Sequence, residues 1–541
     1  MKQFDYVIVG AGSAGCVLAH RLSEDPKTTV LLLEAGKRDG HILVRMPLLT
    51  GLLWNNPAFN WGYESEPEPH LNGRKINIPR GKLLGGSSSI NAMIYARGHP
   101  RDYDQWRQMG AAGWDYASVL PYFKRAETNW RGETKFHGGS GPLQVTRMDV
   151  RRPIVLNAFR EAGKAAGYDL TDDPNGADPE GFGDADFTVG NGRRSSTARA
   201  YLHPAMSRPN LKVETHALAS KILFEGTRAI GIEYRQDGRT ERVQANREVI
   251  LSGGAINSPH LLMLSGVGPA EHLREHGIEV VLDSPGVGQN LEDHISAGLE
   301  YSCKGPVTLD AELRFDRLAV AAFKWLFAGD GTFAYFPFGG SAYIRTRPEL
   351  DRPDIQFLIR NASAKSRVWF PGIRSRVGDA VACRLTQLHP ESVGSVTLRS
   401  ASPEDKPRII HNYFAAENDL RSMREGIKAA RKVFEQKPLA DLLESEKEPG
   451  PNVRSDDEID AYIRETATTI FHPVATCRMG PDPRSVVDSE LRVKGIGSLR
   501  VVDASIMPHV SGSNTNAPTI MIAEKAADMI RGQPPLPPVE V

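Results

Sequence analysis

Residues 4–15 read FDYVIVGAGSAG. The first six, Asp5 apart, are apolar and β-branched or aromatic, the composition of a buried strand. Gly10, Gly12 and Gly15 then form G-x-G-x-x-G. Beyond them, Ala14, Val17, Leu18 and Leu22 recur at helical spacing. TTVLLLEAG, residues 28–36, reads as a second buried strand. Strand, glycine turn, helix and strand open a doubly wound α/β sheet. The turn is tight and lets a pyrophosphate reach the backbone, where the helix N-terminus presents its amides. Glu34 ends the second strand, placed to accept hydrogen bonds from ribose hydroxyls. The unit predicts dinucleotide binding, and the motif alone fits NAD and FAD equally.

Further along, residues 60–110 are rich in loops, and long loops inside a compact domain are usually functional. Residues 211–256 carry the period of a β-meander. Alternating stretches between 296 and 400, such as DIQFLIR and GSVTLRS, predict an antiparallel sheet. Residues 417–436 predict an amphipathic helix. The last 75 or so residues return to strand (LRVVDAS) and helix (APTIMIAEKAADMI), before the proline-rich tail GQPPLPPVEV. The expected fold class is α/β: a Rossmann-like dinucleotide domain built from discontinuous segments, plus a mixed or antiparallel sheet domain that holds substrate. The expected division gives 1–150, 195–295 and 465–541 to the first domain, and 151–194 and 296–464 to the second.

Bulk composition narrows the function. The chain has 541 residues, with 66 Lys+Arg against 66 Asp+Glu. That balance lacks the basic excess of a nucleic-acid binder, so a small-molecule partner is expected. Cys16, Cys303, Cys383 and Cys477 are scattered and form no C-x-x-C, which argues against a zinc site or a disulfide framework. The N-terminus runs directly into the first strand without an apolar leader, and no apolar run reaches the roughly 18 residues of a membrane span. A cytoplasmic protein is the expectation. H-x-x-E-H at His272–His276 has a metalloprotease-like spacing, but Gly277 reads as the end of a charged surface helix. No G-x-S-x-G occurs, so a serine hydrolase elbow has no support. No metal is expected.

Longer motifs carry a resemblance. GKLLGGSSSIN (81–91) followed by YARGHPRDYD, GAINSPHLLMLSGVG (254–268), HPVATCRMG, LRVVDASIMP and SGSNTNAPT occur in this order. Together they resemble the signatures of the glucose–methanol–choline (GMC) flavin oxidoreductases, over essentially the whole chain. The resemblance implies FAD. Gly10, Gly12, Ser13, Ala14 and Gly15 would cradle its pyrophosphate, and Glu34 and Ala35 would meet the ribose. Gly86, Ser87 and Asn91 would lie along the flavin, Ala219 near the adenine, and Asp503, Ala504 and Asn516 at the late cofactor contacts. Where some family members carry a histidine covalently bound to FAD, Ile90 stands here, so noncovalent FAD is expected.

His–Pro occurs four times in the chain, so the dipeptide alone does not single out His472. The resemblance does: HPVAT aligns with the family's active-site histidine, and NTNAP is read as placing Asn516 at the partner position. A neutral imidazole can take an alcohol's proton while hydride leaves for FAD, and an amide can hydrogen-bond the same oxygen. The implied activity is oxidation of a primary alcohol, aliphatic or aromatic, with oxygen or another electron acceptor as oxidant. His509 is the alternative base. Phe471, Trp61, Tyr335 and Phe338, with other nearby aromatics, would line the substrate pocket. A hydroxynitrile lyase, a choline-type dehydrogenase and a flavin-binding protein without turnover are the competing readings. No carboxylate for a choline-like cation is evident.

Overall fold

The structure is a computed structural model that describes residues 1–147, 153–363 and 365–540. The expected division at 150/151 therefore lies outside the described residues.

Lys2–Val9 is a strand with Tyr6, Val7 and Ile8 buried. It pairs in parallel with Val30–Leu33 on one side and with the end of Arg239–Leu251 on the other. Seven strands among the described residues make this first sheet. Its order is Leu211–Glu214, Val30–Leu33, Lys2–Val9, Arg239–Leu251, Arg228–Gln236 and Leu218–Glu225, with Leu499–Val501 beside Arg239–Leu251. The long strand Arg239–Leu251 joins two patterns. Its beginning is antiparallel to Arg228–Gln236, and its end is parallel to Lys2–Val9 and Leu499–Val501. The expected meander over 211–256 is only partly a meander. Leu211–Glu214 leaves it and runs parallel to Val30–Leu33, where it extends the sheet past that strand's otherwise open edge. The helix Ser13–Leu22 follows the glycine turn, and Asn516–Ile530 is almost wholly buried. Glu524 on that last helix is fully buried. It is held by Arg21 and Arg125 at 2.9 and 2.8 Å and by the Tyr201 hydroxyl at 2.9 Å, so its charge is paired from three other segments.

The second sheet is antiparallel, in the order Leu443–Glu448, Ile295–Cys303, Ala380–Gln387, Ile355–Arg360, Phe338–Ile344 and Gly181–Asp184. Thr468–Thr469 pairs with the start of Ile295–Cys303. Alternation gives it two unlike faces. Ile295, Ala297, Leu299, Val381, Cys383 and Leu385 pack in one apolar core with Leu420, Met423, Ile427 and Phe434 of the helix Glu417–Phe434. That helix covers the stretch expected over 417–436. The opposite face carries Ser296, Gly298, Arg384, Thr386, Leu358 and Arg360.

The segment KWLFAGDGTFAYFPFGG divides at its glycines. The helix Phe315–Ala328 stops at Gly329 (φ 65°), Gly331 (φ 100°) turns the chain, and the strand Phe338–Ile344 begins soon after. The H-x-x-E-H helix is short, Ala270–Glu275, and Gly277 follows its end at φ 67°. His272 Nε2 accepts a hydrogen bond from the Leu398 amide at 3.0 Å, so the residue ties this helix to the chain just after the strand Gly394–Thr397. Among the described residues no helix is long and apolar enough to cross a membrane.

Candidate active site

One cavity of about 910 Å³ is lined by both sheets. At its first end the backbone makes the wall. Gly10 stands at φ 99°, and a Cβ on Gly15 would lie 1.9 Å from the Gly10 carbonyl oxygen. A Cβ on Gly86 would meet Gly12 Cα at 2.7 Å, so the GSSS turn closes directly onto the glycine turn. Gly15 is thus a packing glycine, while Gly10, Gly12, Ser13, Ala14, Gly86 and Ser87 border the cavity. Glu34, Ala35 and Ala219 line the same end. The Glu34 carboxylate is buried and accepts from the Ala11 amide at 2.9 Å and the Gly36 amide at 2.8 Å. Each oxygen keeps a lone pair to accept a further hydrogen bond. Burial pushes its carboxyl up to about 7, against the lowering by those two amides and by Lys82.

Further along the cavity stand Asn91, Asp503, Ala504 and Asn516. Asn91 Oδ1 accepts from Arg194 at 2.7 Å and from the Met93 amide at 3.0 Å, which leaves its amide nitrogen free to donate. Asp503 accepts from the Gly254 amide at 2.8 Å, Ser258 Oγ at 2.6 Å and the Ser505 amide at 2.8 Å. It thereby joins the C-terminal segment to the start of the helix Gly254–Leu264. Ile90 also lines the cavity, with an aliphatic side chain that has no atom to bond a flavin.

At the other end stands His472. Phe471 before it and Ala475 after it hold positive φ, 72° and 70°. That strained turn is fixed from outside. Asp293 accepts from the His472 amide at 2.7 Å, from the Tyr413 hydroxyl at 2.7 Å and from Thr469 Oγ1. Arg80 Nη2 donates to the Phe471 carbonyl at 2.6 Å.

The ring nitrogens of His472 have assignable roles. His294 Nε2 lies 3.0 Å from the Leu388 carbonyl, which only accepts, so that nitrogen carries hydrogen. A neutral His294 then offers its Nδ1 lone pair to His472 Nδ1–H at 2.9 Å. His472 Nε2 is left as an acceptor, and Asn514 Nδ2 donates to it at 3.1 Å. Both rings are neutral. Burial pushes His294 down to about 4, and burial, then His294, then Arg80 push His472 well below its ordinary value.

Two expected placements change. Asn514, not Asn516, touches His472. Asn516 is the first residue of its helix, and its Oδ1 accepts from Ser13 Oγ at 2.7 Å, beside the glycine turn. Asn514 lies in the loop before the helix, where its side chain is free to enter the cavity, and its buried Oδ1 has no partner. Of the expected aromatics, Phe471, Trp61 and Phe338 line the cavity. Tyr335 does not; its hydroxyl reaches Asp330 at 3.4 Å, and the next residue, Phe336, lines the cavity instead. His509 also lies outside the lining, its Nδ1 paired with Glu292 at 2.7 Å. His294, Asp293 and Arg80 were not expected at all. Their contacts to Phe471 and His472 span long sequence separations and leave no local pattern.

The fold and site define a flavin-type oxidoreductase, and comparison with known proteins agrees. Family models described as GMC oxidoreductase match residues 4–296 and 390–523. The chain belongs to the GMC oxidoreductase family. It is 47% identical over 545 residues to "Choline dehydrogenase, mitochondrial" of Mus musculus, covering 99% of this chain and 90% of that protein. It is 45% identical over 538 residues to "Oxygen-dependent choline dehydrogenase" of Brucella anthropi, covering 98% and 96%. Among solved structures, pyridoxine 4-oxidase from Mesorbium loti superposes with a TM-score of 0.88 at 32% identity, over 98% of this chain and all of that one. Aspergillus oryzae formate oxidase gives 0.91 at 28% identity, over 98% of each chain. The protein is an FAD-dependent oxidoreductase acting on CH–OH donors. The cavity fits that cofactor without a covalent link: glycine backbone makes the wall at the turn, the buried Glu34 carboxylate stands beside it, and Ile90 has no atom to bond a flavin.

Proposed function

We propose that the protein oxidises a primary alcohol to the aldehyde, with His472 as the base. The observation that carries this reading is the Nε2 lone pair of a neutral, buried His472, facing the cavity beside the Asn514 amide. FAD bound in the cavity supplies the hydride acceptor. His472 Nε2 takes the hydroxyl proton as the carbinol hydride departs. Asn514 Nδ2 donates to the substrate oxygen as negative charge builds on it. His294 keeps the His472 proton on Nδ1, so that the lone pair sits on Nε2, where the substrate hydroxyl would take the place of the Asn514 hydrogen bond. Arg80 and Asp293 hold the Phe471–His472 backbone and thereby the ring position. Gly10, Gly12, Ser13, Ala14, Glu34, Ala35, Ala219, Asn91, Asp503, Ala504 and Asn516 are assigned to FAD, with Gly86 and Ser87 beside them. Oxygen or another electron acceptor would then take the electrons. The domain assignment is 1–150, 195–295 and 465–541 for FAD and 151–194 and 296–464 for substrate. Its support is that the first sheet's strands fall in the former group, and nearly all of the second sheet's in the latter.

The likeness to two choline dehydrogenases favours choline as a second reading. Anaerobic mixing with an alcohol tests the main one. Bleaching of the oxidised flavin band is the expected result. Cleavage of a cyanohydrin with no bleaching by any alcohol would replace the oxidoreductase step with a lyase step.

A further inference from the structure

The cavity face of the second sheet carries two arginines. Leu358 pairs with Arg384 and Arg360 with Ala382 on adjacent antiparallel strands, so the two arginines are diagonal neighbours on one face. Both line the cavity. Thr386, two residues on from Arg384, pairs with Ser296, and Ser296 pairs with Thr468, four residues before His472. Two residues of strand span about 7 Å. The arginines thus stand on the same sheet as the strand Thr468–Thr469 that leads to the base.

Neither guanidinium has the partner its burial demands. Arg384 makes no hydrogen bond or ion pair with any described residue; burial pushes it below its ordinary value, and only the Tyr462 phenol opposes this. Arg360 Nε is buried without a partner, and its Cζ lies 5.9 Å from the Phe338 ring centre. Burial pushes Arg360 below its ordinary value; Glu300 and, more weakly, Asp310 favour its charge, while Arg384 works against it. Two like charges sharing a low-dielectric wall are costly unless an anion sits between them.

The carboxylates that line the cavity stand elsewhere. Glu34 belongs to the glycine turn, and Asp503 is bound by Gly254, Ser258 and Ser505. Glu404 pairs with Arg235, and Asp405 accepts from Ser400. Glu300 shares the arginines' face but does not line the cavity, and one of its oxygens accepts from Ser363 Oγ at 2.9 Å. A quaternary ammonium group here would meet guanidinium charge. A carboxylate would meet two planar donor forks.

We propose that the alcohol oxidised at His472 carries a negatively charged oxygen group, a carboxylate in the simplest case, received by Arg384 and Arg360. This rests on the alcohol-oxidation reading above. The test uses the full-length FAD-loaded protein with 6-hydroxyhexanoate, 1-hexanol and choline. The parent should show a higher kcat/KM for the hydroxy acid than for 1-hexanol, and the least for choline. In Arg384→Gln the ratio of hydroxy acid to 1-hexanol should fall about 10- to 100-fold, the usual worth of a hydrogen bond to a charged group. Arg360→Gln should lower the same ratio by less and guards against a folding failure of the first variant. Choline as the best substrate, or a ratio unchanged in both variants, would overturn the proposal. The latter result would also arise if the arginines served the flavin rather than the substrate. Calorimetric titration of the FAD-loaded protein with hexanoate separates this inference from the alcohol reading. Binding by the parent that weakens in Arg384→Gln supports the anion subsite even if no alcohol bleaches the flavin. No binding by the parent overturns it even if neutral alcohols are oxidised.

Discussion

At the glycine turn the cavity wall is backbone; at His472 it is a mesh of side chains. The first end depends on atoms that are missing: Cβ atoms at Gly10, Gly15 and Gly86 would strike neighbouring backbone atoms within 3 Å. The second depends on side chains from separate parts of the chain, Arg80, Asp293, His294 and Asn514, converging on one ring or its backbone. The difference teaches that the two ends can be damaged independently. Changes at the first should alter how tightly FAD is held. Changes at the second should alter what happens once it is there.

The largest effect is expected at the second end. His472→Ala should retain FAD and lose flavin reduction by alcohol on the order of 100-fold or more, the scale of a positioned base. Anaerobic stopped-flow on FAD-loaded protein reads it, and parent-like reduction would remove His472 from the chemistry. At the first end, Glu34→Ala should weaken FAD retention about tenfold or more, because a buried charged acceptor is lost. Once loaded, that variant should reduce flavin at nearly the parent rate. Equal FAD affinity in variant and parent would break the division. The two asparagines sharpen it within three residues. Asn514→Ala should slow flavin reduction by about tenfold with FAD retained, since one donor to the substrate oxygen is removed. Asn516→Ala should show up as looser FAD instead, through its lost bond to Ser13. A swap of these two phenotypes would restore Asn516 as the partner of the base. Finally, acid precipitation should release the yellow cofactor into the supernatant, because Ile90 offers no attachment; colour retained in the pellet would contradict noncovalent binding.

The first end was legible because a conformation needing φ of 99°, or a close approach of two backbones, leaves glycine as the residue that fits. Such constraints are written in consecutive residues. The strand Leu211–Glu214 illustrates the limit: its composition predicts a strand, but which edge it joins is decided by Val30–Leu33, far away in sequence. His472 is singled out in the sequence by the motif around it. Its partner was misread because NTN offers two asparagines, and the start of the helix at Asn516 decides which one faces the cavity. His294 could not be found in this way. Its neighbours in NLEDHI carry no periodicity, and its role exists only through a ring 178 residues away. Arg360 and Arg384 sit in plainly alternating strands, yet alternation tells which residues share a face and not which face meets the cavity. Tyr335 and Phe336 show the same ambiguity at single-residue scale.

The division between the two ends is tested most directly by the pH dependence of flavin reduction in the parent and in His472→Gln. His472 is held well below the ordinary histidine value of 6.5, chiefly by burial. A base with a depressed pKa keeps its lone pair throughout the neutral range and loses it only as pH falls below 6.5, through the lowered value. With saturating alcohol, the parent rate should be flat across neutral pH and drop on the acid side, whereas FAD-loaded His472→Gln should be slow and lack that drop. An acid limb that survives unchanged in His472→Gln, or a parent rate that rises on acidification, would contradict the account.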